Sequence, residues 1–429
     1  MSCGSWMAAP SPLKLSPPSP LQRNKNGVSS SFLCCGHRSD QKSRAADLAL
    51  SILHDSLEAS GIDTKHARAA REGFCEQIGR LTEINGDTSI AISKGPDLAR
   101  TALFIAAEDD SLVSHSSVPL PVEAFIERLD DLSMGFCPLY MPPSHSPPEV
   151  FLANLERYFY VHKGFHRPNV MSDSRALYLH SVLTCRLGSA VMLSLIYSEM
   201  LKMLRICGFL DFDVEIYFPH DLLSLPRGYH KQKSKLSDQP HIMTAKSLLV
   251  EILRDLKDAF WPFQYNKSNS LFLRAAYAAN HVRGPSFASE SYSEPCSNVS
   301  GLEIASAKAA QHRIGRGVWT SVRFGDMRRA LAACERLILL AADYHDLRDY
   351  AVLLYHCGHY EECLHYLKLY KSSKSQGMHI KRSQTSMDEE IEEDAVEKMM
   401  ARVILILGEE GWGKQTVSNS YWGDNSEPW

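Results

Sequence analysis

The feature that most limits what this chain can fold into is the spacing of its apolar residues. They recur every three to four positions along most of the length and alternate in one short stretch. From about Ala45 to Ile84, Leu48, Ile52 and Leu57 and then Phe74, Ile78 and Leu81 follow the helical period. Pro96 to Ala107 places Leu98, Ala102, Ile105 and Ala106 on one stripe. Val122 to Leu132 follows Pro119 and Pro121, which suit a helix start. Further helices are expected over Pro148 to Tyr160, Ser247 to Phe260, Met327 to Leu340, Leu347 to Tyr370 and Asp388 to Leu407. His180 to Arg205 predicts one long apolar helix approached through Arg186, Leu187 and Gly188. Phe212 to Phe218 (FDVEIYF) has the period of a half-buried strand. The fold class expected is therefore α+β and predominantly helical.

Proline, glycine and serine punctuate this pattern. Pro138 to Pro148 reads as a linker, Leu225 to Pro240 as a polar, basic loop, and Gly284 to Gly301 as a flexible insertion. Lys371 to Ser386 reads as a Ser/Lys linker, and the chain from Gly408 onwards as a polar tail. The organisation predicted is a targeting segment over 1–44, a helical amino-terminal bundle over 45–137 and a mixed core over 148–283. An insertion over 284–312, helices over 316–372 and a last helix over 387–408 complete it.

Composition narrows the function. The 429 residues carry a formal net charge of -4, so no overall basic field draws the chain to nucleic acid or anionic lipid. No apolar run reaches the roughly 18 to 20 residues that span a bilayer. The eleven cysteines form no CxxC pair, which suits reduced thiols better than a disulfide framework. Cys357 with His359, and His220, are isolated rather than clustered, so neither a metal nor another cofactor is expected. Met1 to Ser39 has no Asp or Glu, several basic residues and many serines and prolines. That is the composition of an organelle transit peptide, and the prolines oppose the amphipathic helix of a mitochondrial one. A chloroplast (stroma) location is expected, with cleavage between Cys34 and Arg44; an untargeted tail is the alternative.

Tyr178 to Tyr197 (YLHSVLTCRLGSAVMLSLIY) resembles the central helix of the SirB family of transglutaminase-core proteins, which opens with an Arg-x-Gly-x-Pro element. Leu98 to Asp109 is similar to that family's amino-terminal helix, and Phe165 to Tyr178 to its glycine-aromatic approach. Arg274 to Asn280 is similar to its Arg-Met-Leu-x-Asn helix. Leu347 to Tyr370 resembles its tetratricopeptide-like hairpin, with Arg348 and Asp349 as the more specific pair and Gly358 and Tyr360 at the turn. The resemblance covers about Asp97 to Tyr370 and implies a transglutaminase-like core with a tetratricopeptide-like helical carboxy-terminal extension.

Transglutaminase-type catalysis needs a thiolate at a helix amino terminus, a histidine to take the proton and an aspartate to orient it. In catalytic relatives the cysteine lies two residues after the glycine; counted from Gly188, that position holds Ala190. The resemblance places the histidine at His220, while the aspartate-proline-aromatic element survives only as Trp261-Pro262-Phe263. The expectation is a non-catalytic adaptor or assembly factor that binds protein segments, with Arg186, Gly188, His220, Arg348, Asp349 and Tyr360 as binding residues. The alternative is a cysteine-dependent hydrolase or acyltransferase using Cys185 and His220. The basic run Arg227 to Lys235 could touch RNA phosphates, but a solvated loop is the simpler reading.

Overall fold

The computed structural model describes residues 51–83, 97–114, 118–143, 146–168, 173–218, 224–230, 244–263, 270–282, 320–321, 325–377 and 387–412. The targeting segment, the insertion after residue 283 and His220 lie outside them. Chain order begins with α1 (Ile52–Ala59), α2 (Lys65–Glu83), α3 (Leu98–Ser114), α4 (Val122–Met134) and the short α5 (Cys137–Tyr140). Next come α6 (Pro148–Glu156), which relaxes into a π-helical turn at Arg157–His162, a 3-10 turn (Ser174–Leu177), α7 (Leu179–Cys185) and α8 (Ala190–Ile206). A two-stranded antiparallel sheet follows, β1 (Val214–Tyr217) on β2 (Arg227–His230). The remaining helices are α9 (Ala245–Phe260), α10 (Leu271–Val282), α11 (Met327–Leu339), α12 (His345–His356), α13 (Tyr360–Gly377) and α14 (Met387–Trp412). A second small pair, β3 (Thr320–Ser321) and β4 (Gly325–Asp326), immediately precedes α11. The described chain is mostly helical, as the apolar spacing demands.

Several boundaries move for identifiable reasons. The first helical stretch breaks at Gly61, whose φ of 84° no helix accommodates. The predicted long helix over His180 to Arg205 is two helices, because Arg186 adopts a left-handed conformation at φ 62°. The expected loop at Arg227 is strand β2, whose polar residues show no alternation. It forms because β1 offers a partner, pairing Glu215 with Tyr229, and the Tyr229 hydroxyl donates to Glu215 at 2.6 Å. The Pro138 to Pro148 linker begins with the helical turn α5, and α13 runs into the Ser/Lys linker as far as Gly377. The last helix likewise continues past Gly408 to Trp412.

The helices meet on a buried cluster of charges. Glu108, Glu335 and Arg336 are fully enclosed, and Asp109, His54 and Arg71 nearly so. Arg71 of α2 donates to both oxygens of Glu108, at 2.8 and 2.6 Å, and to Glu335 at 2.9 Å. Arg336 of α11 reaches Asp109 at 2.6 Å and Glu108 at 3.0 Å. His54 of α1 contacts Glu108 at 3.1 Å, and the Tyr350 hydroxyl of α12 donates to Glu335 at 2.8 Å. The Tyr178 hydroxyl donates to Asp109 at 2.7 Å, which ties the start of α7 to the same cluster. A second set joins α9 to α12: Lys257 Nζ bridges Asp346 and Asp349 at 2.9 and 2.8 Å.

Burial alone would push the Glu108 carboxyl up, but Arg336 and then Arg71 hold it well below the usual carboxylate range. A folded-state pKa below the unfolded one stabilises the fold fully above about pH 4.3, and that stability is lost as pH falls toward the depressed value. Glu108→Gln should therefore cost about 3–5 kcal/mol at pH 7, the usual result of removing one partner from a buried ionic set. Urea midpoints between pH 7 and 3 should fall less steeply for the variant than for the parent. Equal slopes would show that Glu108 is not the linked group.

Candidate functional site

The chain's best-defined irregular feature joins α7 to α8. Arg186 closes α7 in the left-handed conformation, with its N–H donating to Val182 O at 2.7 Å. Glycine normally holds such a position, because a side chain there meets the backbone at a cost of about 1–2 kcal/mol. The Arg186 side chain is exposed, and among the described residues its guanidinium has no partner. His166 N donates to Arg186 O and Gly188 N donates to His166 O, both at 3.0 Å, which clamps the turn to the segment after α6. Gly188 is required sterically: a Cβ would stand 2.8 Å from Val182 Cγ1 and 3.0 Å from Leu193 Cδ2.

Ser189 then caps α8, its Oγ accepting from Met192 N at 3.3 Å. Ala190 is the first residue of that helix and is buried. Here the backbone N–H groups and the helix dipole would stabilise an anion, but a methyl group stands in the position. Cys185 is exposed, and it is the last residue of α7 rather than the first of a helix.

Among the described residues, Arg348, Asp349 and Tyr360 lie elsewhere and are occupied; His220 lies outside those residues. Asp349 is buried and accepts from Lys257, and Arg348 donates to Glu392 of α14 while lying over the Phe272 ring at 4.7 Å. Tyr360 opens α13 with its ring edge-on to Tyr355, centroids 5.5 Å apart. The α7–α8 turn thus gathers Cys185, Arg186, Gly188 and Ala190, while Arg348 and Asp349 hold helices together.

One residue absent from the sequence reading is Asp255 of α9. Burial, and then Glu251 and Asp258, push its carboxyl up to about 7 against the opposing charge of Arg167, whose Nη1 donates to Ser224 O ahead of β2. Such a group can exchange protons at neutral pH. The sequence signal was the acidic repeat Glu251, Asp255 and Asp258, which by itself looks like a solvated helix face.

The turn makes two opposite stability changes testable. Gly188→Ala should destabilise by about 1–3 kcal/mol through overpacking. Arg186→Gly should stabilise by up to about 1 kcal/mol by removing left-handed strain. Chemical denaturation of both variants checks the pair; a stabilised Gly188→Ala would refute the close approach.

Searches of curated proteins and of solved structures return no match. Residues 123–224 match the sequence profile of the transglutaminase-like superfamily, a span that runs from α4 through α8 and β1 and includes the whole α7–α8 turn. The chain therefore carries a transglutaminase-like superfamily domain over residues 123–224.

Proposed function

We propose that the chain is a non-catalytic adaptor or assembly factor of the plastid stroma, a SirB-type member in which the transglutaminase-like site has become a binding surface. The observation that carries this reading is Ala190 at the first position of α8. An alanine has no lone pair to attack a carbonyl, so the position best suited to a nucleophile cannot supply one. Cys185 is five positions earlier, at the carboxy-terminal end of α7 and outside α8.

Recognition then falls to the exposed turn. Arg186 keeps a strained backbone and an exposed, unengaged guanidinium, a combination that stability alone would replace with glycine. Its fork suits a carboxylate of a partner protein, held bidentately. The α12–α13 hairpin, which we read as tetratricopeptide-like, contributes small or slim residues, Ala351 and Cys363, where its helices approach. Such a hairpin can present a groove to a partner helix. The stromal location rests on the acid-poor, serine- and proline-rich composition of Met1 to Ser39.

Two measurements test the reading. Brief iodoacetamide treatment near pH 7 should label Cys185 no more than about threefold faster than Cys207, the other exposed thiol among the described residues. Labelling of Cys185 that is far faster, and slowed by His220→Ala, would establish the hydrolase or acyltransferase alternative. In chloroplasts expressing a tagged chain, one discrete stromal protein should co-purify with the parent and with Cys185→Ser. It should be lost with Arg186→Gly, a variant expected to be more stable than the parent, so that unfolding cannot explain the loss. Recovery of a lone monomer would overturn the adaptor reading.

A further inference from the structure

At the far end of α8, about 25 Å from the Arg186 turn at 1.5 Å per residue, three sulfur-bearing side chains meet, and Cys137 follows one of them closely in the chain. Met203 lies in the last turn of α8 and Cys207 follows four positions later, which puts the two side chains on one face. Met134 ends α4, which packs along α8. Cys207 Sγ lies 3.6 Å from Met134 Sδ and 3.9 Å from Met203 Sδ. Cys137 opens α5 just after Met134, and the intervening turn is fixed by Gly135, where a Cβ would stand 2.6 Å from the Tyr158 hydroxyl.

Core packing places Cys137, which is half-buried against the hydrophobic cluster, but not Cys207 or Met134. Cys207 is exposed, Met134 is 40 % exposed and the adjoining Ile206 is 67 % exposed, so the contacts enclose little apolar area. The geometry, by contrast, suits a metal. Three sulfurs around one ion at about 2.3 Å, the length of a zinc–thiolate bond, lie about 4 Å apart when the angles are near 120°. The two separations from Cys207 are close to that edge length. Thiolate and thioether donors together select a soft monovalent ion, since zinc in protein sites takes thiolate, imidazole or carboxylate rather than thioether ligands.

We propose that Met134, Met203 and Cys207, with Cys137 beside them, form a binding site for one Cu(I) ion. Binding replaces the Cys207 thiol proton by the metal: the S–H bond breaks, a Cu–S bond forms, the proton leaves to solvent, and no electron is transferred. The two thioethers complete the donor set as neutral ligands, so the site carries no net charge when filled. The site is independent of the adaptor reading, because it uses no residue of the α7–α8 turn.

Anaerobic titration of the reduced full-length chain with Cu(I), in competition with bicinchoninate, tests the assignment. Cys207→Ser should hold one copper fewer than the parent. Met134→Leu with Met203→Leu, which conserves side-chain volume, should weaken that copper at least tenfold. X-ray absorption should show a sulfur-only first shell, and a tenfold excess of Zn(II) should not displace the ion. The urea midpoints of the variants confirm that the fold is intact. Copper retained in full by Cys207→Ser would overturn the proposal. So would a double-leucine variant that binds as tightly as the parent, because the thioethers would then be bystanders to a thiol.

Discussion

The carboxylate of Glu108 is the point on which the helical assembly depends. An ionised carboxylate without solvent is tolerated only when charge and hydrogen bonds replace the lost water. Here Arg71, Arg336 and His54 supply both, and each comes from a different helix. Four helices are thus oriented about one side chain, with Tyr350 of a fifth held through Glu335. Apolar stripes bring helices together with considerable rotational freedom. A buried ionic set removes that freedom, because any other register would strand a charge. Its value lies in specificity more than in net stability, since a well-packed apolar replacement can be equally stable.

The same cluster positions the candidate site. Asp109, next to Glu108, holds the Tyr178 hydroxyl, and Tyr178 directly precedes α7. From there the chain has only the seven residues of α7 before it turns at Arg186, is clamped by His166 and begins α8. The turn therefore keeps its geometry even though the position suited to a nucleophile holds alanine. A turn fixed by interactions outside residue 190 keeps its shape whatever small side chain stands there.

Helix α8 gives the domain its axis. It is apolar on nearly every face and buried for most of its length, so neighbours pack on several sides. Its two ends differ in character. The amino-terminal end is closed by Ser189 and a tight turn, while the carboxy-terminal end releases the chain through Gly208, at φ 77°, and leaves Cys207 at the surface. The sulfur group forms there because α4 finishes beside that end.

Much of the fold was legible in the apolar spacing. Leu98, Ala102, Ile105 and Ala106 form a buried stripe, as do Leu248, Leu249, Ile252, Leu253 and Leu256, because a 3.6-residue period leaves one face for the core. The resemblance around Arg186 and Gly188 likewise falls within the span matched by the transglutaminase-like profile. The roles of the charged residues were not legible. Glu335 and Arg336 sit among apolar residues in the second half of α11, and Arg348 and Asp349 resembled a recognition motif; whether each meets solvent, a ligand or another helix depends on distant partners. Strand β2 was missed because its pairing comes from β1 and not from its own pattern. The Cys207 and Met134 contact joins residues far apart in the chain, and no local period encodes it. Sequence by itself determined most of the helices, their inward faces and the presence of alanine at position 190, because periodicity and residue chemistry are local properties. Only the tertiary structure decided which charges pair, which turn is strained and which sulfurs meet, because those depend on where separate helices come to rest.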